Sequence, residues 1–150
     1  MSKKQCPKVG ERFTLTLKAN EANNTPLGIV KEWGYSKRGW KHRGEVLTGE
    51  QTKEFMLVEV GYQSNIDAVK RAIEMLYGIP PKQHKGQWKQ AYLAEYEPNS
   101  TNHIGIADNS WVTPDGNHVF PCLLADGRSR FSWSGHDFDK EEWLWLVPAP

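Results

Sequence analysis

Ser110-Trp111-Val112-Thr113-Pro114-Asp115-Gly116-Asn117-His118-Val119-Phe120-Pro121-Cys122-Leu123-Leu124-Ala125-Asp126-Gly127-Arg128-Ser129-Arg130-Phe131-Ser132-Trp133 is the stretch that decides the fold. Pro114-Asp115-Gly116 and Asp126-Gly127 have the chemistry of tight turns, and each lies between apolar runs short enough to be strands. Residues 110–113, 118–124 and 128–133 therefore read as a β-meander. Beyond it, Trp143-Leu144-Trp145-Leu146-Val147 is apolar throughout, a further strand or a helix end, and Pro148-Ala149-Pro150 stops it.

Toward the start, Phe13, Leu15 and Leu17 alternate with Thr14 and Thr16, which predicts a half-buried strand over 12–18. Residues 20–26 are polar and turn-rich, a loop; further strands are expected over 27–33, 45–47 and 54–60. A helix then follows over about 65–77. Ser64 offers an N-cap, and Ile66, Val69, Ile73 and Leu76 share a face. Asp67, Lys70, Arg71 and Glu74 form its wet side, with Asp67–Arg71 and Lys70–Glu74 one turn apart. Gly78 supplies the stop and Pro80-Pro81 forbid continuation. Residues 88–96 read as another strand, so that 54–96 could form a β-α-β unit. The expected class is α+β: a mainly antiparallel sheet of about eight strands with one principal amphipathic helix, in a single compact domain.

The net charge of +1 conceals a sorted sequence. Residues 1–44 carry ten Lys and Arg against three acids, 45–94 carry six of each, and 95–150 carry three bases against nine acids. Such asymmetry marks either charged partners or two parts of the chain that attract each other. Met1–Lys8 has no apolar run behind its charges, and no stretch reaches membrane-span length, so a cytoplasmic protein with no membrane partner is expected. Cys6 and Cys122 then read as reduced thiols.

The candidate binding stretch is Lys31 to Gly44, which interleaves Lys31, Lys37, Arg38, Lys41 and Arg43 with Trp33, Tyr35 and Trp40. Lysine and arginine neutralise phosphates, and aromatic faces stack on bases, so this is the composition a nucleic-acid groove needs. A solvated hairpin with cross-strand aromatic pairs accounts for the same residues. Lys82, His84, Lys85 and Lys89 make a second basic segment, which would extend a positive stripe through Lys82 and Lys85 if it folds beside the first. At the other end Asp137, Asp139, Glu141 and Glu142 form an acidic, aromatic-flanked segment. Its alternating carboxylates suit a hard cation, but no EF-hand loop is present, and helix capping explains them as well.

Catalytic motifs are absent: no HExxH, GxSxG, Walker loop, GxGxxG or CxxC occurs, and no catalytic residue, metal or cofactor is assigned. Three readings follow. The first is a non-enzymatic binding protein contacting DNA or RNA through residues 31–44. The second is a small inhibitor or adaptor that blocks a protein or nucleoprotein target, using the acidic end or the basic stretch. The third is an enzyme or small-molecule binder with a site around His118, Cys122, Asp126 and Arg128 in the C-terminal meander.

Overall fold

A computed structural model describes residues 3–135, 137–138 and 142–150. Its framework is one mostly antiparallel sheet of eight strands: β1 Phe13–Lys18, β2 Lys41–His42, β3 Glu50–Val58, β4 His103–Gly105, β5 Trp111–Val112, β6 His118–Leu123, β7 Ser129–Trp133 and β8 Trp143–Pro148. Pairing runs β1-β3-β8-β4-β6, with β4 and β5 end to end along one side of β6 and β7 along the other. β2 extends the sheet beyond β5. The meander forms as expected, with Trp111 opposite Val119 and Val119 opposite Trp133.

Strand β8 lies between β3 and β4, antiparallel to the first and parallel to the second. Its continuous apolar run is explained by burial on both faces. Leu144 and Leu146 join Leu15, Phe55, Leu57, Trp88 and Tyr92 on one side, while Trp143, Trp145 and Val147 join Val69, Ile73 and Phe120 on the other. Two helices cover those faces: α3, Trp88–Glu95, the first, and α2, Ile66–Tyr77, the second.

Several local expectations are corrected. Residues 27–33 are helical rather than extended, in α1, Pro26–Glu32. Thr25 Oγ1 accepts from Gly28 N at 3.2 Å and Pro26 occupies the first helical position, so cap and ring geometry outweigh the strand preference of Ile29 and Val30. Of residues 88–96, expected as a strand, 88–95 form α3, because Trp88, Ala91 and Tyr92 reach the core at helical spacing. With α3 helical, the β-α-β unit does not form. The sheet therefore carries three α-helices, of 7, 12 and 8 residues, the middle one still the principal helix. Residues 45–47 are irregular, and β3 starts at Glu50.

In α2 the cap is Asn65, whose side chain accepts from Ala68 N at 2.9 Å, one residue after the Ser64 expected. Gly78 closes the helix in the left-handed conformation at φ 72°, donating to Glu74 O. Ile66, Val69 and Ile73 are buried as the periodicity requires, but Leu76 faces outward. Asp67 pairs with Lys70 at 3.9 Å rather than with Arg71. No helix of the described residues is long and apolar enough to cross a membrane. Cys6 and Cys122 are both free thiols.

Candidate nucleic-acid interface

The basic aromatic stretch starts where α1 ends. Trp33 caps the helix, and the chain then runs through Gly34 to Trp40 and into β2, where Lys41 stands opposite Val112 and His42 opposite Trp111. Its aromatics turn toward the interior. Trp33, Tyr35 and Trp40 contact Phe131 with ring centroids 4.8, 5.9 and 5.2 Å away, in a cluster completed by Ile29, Val30, Trp111 and Val119. Trp40 is only 9% exposed, so its faces serve the core, while Trp33 and Tyr35 keep part of their surface. The charges point the other way. Lys37, Arg38, Lys41 and Arg43 are exposed, and among the described residues none of them has a carboxylate within 4.0 Å.

The second basic segment lies alongside. Gln87 binds it to residues 24 and 47: its amide donates to Asn24 O and Leu47 O at 2.9 and 3.3 Å, and its carbonyl accepts from Leu47 N at 2.8 Å. Lys85 Nζ stands 3.8 Å from Glu45. Lys82 is exposed without such a partner among the described residues, and Lys85 is half-buried. This packing brings residues 82–87 to the 44–47 end of the first basic stretch.

Between the two segments opens a pocket of about 290 Å³, lined by residues that include Gly44, Lys70, Lys82, His84, Lys85 and Asp108. Two glycines allow the walls to close up: a Cβ on Gly44 would collide with Ser110 Oγ, and one on Gly86 with the ring of Trp111. Buried Asp108 accepts from Gly86 N at 2.7 Å, from Ser110 N at 3.2 Å and from the Ser110 hydroxyl, which holds both loops. His84, expected in a basic loop, is buried, and neither ring nitrogen has a hydrogen-bond partner among the described residues. Burial, reinforced by the charge of Lys70 and opposed by Asp108, pushes its pKa down to about 4. His42 packs edge-on against Trp111 at 4.5 Å, and burial lowers its pKa also.

Lys89 does not join the basic surface. Helix α3 carries it inward until it is 2% exposed, where Nζ donates to Ser129 Oγ at 2.7 Å and lies 3.8 Å from the centre of the Trp33 ring. Burial holds its pKa well below the ordinary lysine value, with nearby Cys122 opposing that shift. His84 and Lys89 are the two chemically notable groups that sequence reasoning placed in a basic loop. The spacing of Trp88 and Tyr92, one helical turn apart, is the signal that could have turned Lys89 inward.

Of the acidic segment, Asp137 and Glu142 are exposed, and the charge of Asp137 raises the pKa of the Tyr62 phenol. Asp139 and Glu141, together with the expected capping turn, lie outside the described residues. Among the described residues no group of three or more His, Cys, Asp or Glu is arranged to hold a metal. The candidate set in the meander is not brought together. His118 is exposed at the start of β6 with its ring on Asn109 O, whereas Asp126 lies beyond the strand's other end, paired with Arg128 at 2.8 Å. Cys122 is buried against Ser132 Oγ at 3.2 Å, and burial raises its thiol pKa, the opposite of what a thiolate nucleophile requires.

Comparisons with protein families, with curated proteins and with solved structures find no match for the chain.

Proposed function

We propose that the protein binds nucleic acid without chemistry, using the surface made by Lys37, Arg38, Lys41 and Arg43 with Lys82 and Lys85. The observation that carries this reading is that residues 82–87 pack against the 44–47 end of the first basic stretch while five of those six cations lack a carboxylate neighbour among the described residues. Cations without carboxylate neighbours are free to neutralise a phosphodiester backbone, with counter-ion release as the driving term. The sorted charge supports it further. Among the described residues no ion pair joins a base of residues 1–44 to an aspartate or glutamate of residues 95–150, and of those bases only Arg12 has an ion-pair partner, Glu54. The aromatics contribute as a rigid floor, and Trp33 and Tyr35 offer what remains of their edges to bases.

Fluorescence anisotropy with single- and double-stranded DNA and RNA tests this. Contact with about four to six phosphates gives a log–log salt slope of about −3 to −5. Lys37→Glu/Arg38→Glu is expected to weaken binding at least tenfold and to flatten the slope by about two. Absence of binding at micromolar protein and low salt refutes the reading.

A second reading, a protein-blocking adaptor, is favoured by one feature of the other end. Trp133 is largely exposed and borders a recess shared with Glu142, an aromatic beside a carboxylate of the kind interfaces use as an anchor. A Trp133→Ala/Glu142→Lys variant that loses a captured partner while keeping its nucleic-acid titration separates the two.

A further inference from the structure

His84 is 4% exposed and lines the pocket between the basic segments, with both ring nitrogens unpartnered among the described residues. Both nitrogens are also closed off from solvent, and buried polar groups are ordinarily satisfied, so this imidazole gains a partner only when its ring edge turns toward the recess to meet one. Lys70, Lys82 and Lys85 line the same recess. Their present contacts are slight: Lys70 Nζ donates to Asn109 Oδ1 at 2.8 Å and lies 3.9 Å from Asp67, Lys85 lies 3.8 Å from Glu45, and Lys82 has no ion-pair partner among the described residues.

The pocket's three lysines outnumber its two carboxylates, Glu45 and Asp108, by one charge. Asp108 is occupied by Gly86 and Ser110, and Glu45 faces Lys85. What remains to be offered is a set of donors, three ammonium groups and an imidazole N–H, around about 290 Å³. That surplus of one positive charge, with the donors around it, favours an anion.

We propose that this pocket seats a phosphate monoester, received by His84 at its floor and by Lys82 and Lys85 at its rim. The nucleic-acid reading above, on which this part rests, makes that group the terminal phosphate of a bound strand, whose backbone then runs out past Arg43 and Lys41. A monoester brings nearly two negative charges and three free oxygens at neutral pH, which suits converging donors better than a diester with one charge. The volume admits the phosphate with the edge of its sugar. Gly44 matters because any side chain there would push the 43–45 loop off Ser110 and distort the pocket wall.

The test follows the imidazole resonances of the intact protein by NMR during titration with inorganic phosphate. In parallel, anisotropy compares strands bearing a 5′-phosphate, a 3′-phosphate or only hydroxyl ends. The expected result is a saturable shift of the His84 ring with millimolar phosphate and an affinity gain of at least tenfold for one phosphorylated end. His84→Gln is expected to erase that gain and leave binding of the hydroxyl-ended strand in place. The wild-type phosphate titration decides the matter independently if that variant does not fold. Hydroxyl-ended strands that bind, with no His84 shift and no gain from either phosphate, overturn this inference and spare the surface reading. A His84 shift without binding of any strand supports the pocket, makes its occupant a small phosphate ester, and removes the nucleic-acid reading. A gain that survives His84→Gln with the His84 resonances unmoved also overturns it, by locating the terminal phosphate elsewhere.

Discussion

Lys89 places an amine among Trp33, Ser129 and Cys122, where no carboxylate among the described residues answers it. The Trp33 face and one hydroxyl stabilise a cation there only partly, so desolvation dominates. Its folded pKa lies below the unfolded one, so the lost stability is recovered fully only above the unfolded value, near 10.4, and is absent once pH falls through the folded value. Lys89→Met keeps the packing and removes the charge. It is expected to leave stability at pH 7 unchanged or higher by ~1 kcal/mol, and to abolish the gain the native protein shows between pH 7 and 10 in urea titrations. A loss above about 2 kcal/mol at pH 7 would show the amine to be a net stabiliser. His84 acts in the acid range with the same sign. Its folded pKa of about 4 lies below the ordinary 6.5, so its neutral-state stability is present above 6.5 and lost as pH falls through 4. That shift corresponds to about 3 kcal/mol, and a His84→Gln variant should lack this share of the acid destabilisation. In sequence, Lys82, His84, Lys85 and Lys89 look alike, four basic residues in eight. Which of them face inward is decided by the phase of α3 and by the turn at Gly86 against Trp111, and neither is written in local composition.

At the level of elements, legibility followed how much of each signal was local. The meander was readable because Pro114-Asp115-Gly116 and Asp126-Gly127 fix their own turns, and β1 because Leu15 and Leu17 alternate with threonines. α2 was readable because its apolar stripe and its glycine stop agree. α1 and α3 were misread because Ile29, Val30, Trp88 and Tyr92 favour strands in isolation, while helical burial against Phe131 and Phe55 decides otherwise. β4 was missed because three residues carry too little pattern to stand out. The caps give direct tests in denaturant titrations. Asn65→Ala is expected to cost about 1 kcal/mol and Ser64→Ala close to nothing, because Asn65 alone reaches Ala68 N. Thr25→Ala should cost a similar ~1 kcal/mol through α1, and with it loosen the anchor beneath Trp33.

For the whole molecule, the candidate surface was half legible. The residue types were visible in the chain, but the approach of residues 43–47 to residues 82–87 depends on Gln87 bridging two loops forty residues apart. The inward turn of the aromatics likewise depends on Phe131, ninety-one residues after Trp40. Of the ion pairs among the described residues, Asp126 with Arg128 and Asp67 with Lys70 are local, while Glu45 with Lys85 and Glu54 with Arg12 join distant segments, and none of the four links a base of residues 1–44 to an aspartate or glutamate of residues 95–150. A protein of net charge +1 built this way is expected to be retained at pH 7 and low salt on cation and anion exchangers alike. Lys37→Glu/Arg38→Glu should shorten retention on the cation exchanger alone, and equal loss on both columns would contradict the sorting.

The position of β8 has a consequence for how the protein is made. Residues 143–148 are translated after all the strands they join, yet they hold β3 and β4 together. Until they leave the ribosome, the earlier segments have no shared centre: β1 and β3 can pair, and β4 to β7 can pair, as two separate ribbons each with an uncovered edge. Completion of the fold is thus postponed to the end of this stretch of synthesis, and a holding chaperone has a defined interval in which to act. Ribosome-stalled chains that have not yet exposed residue 143 should be digested readily by protease, and chains exposing residue 150 should resist.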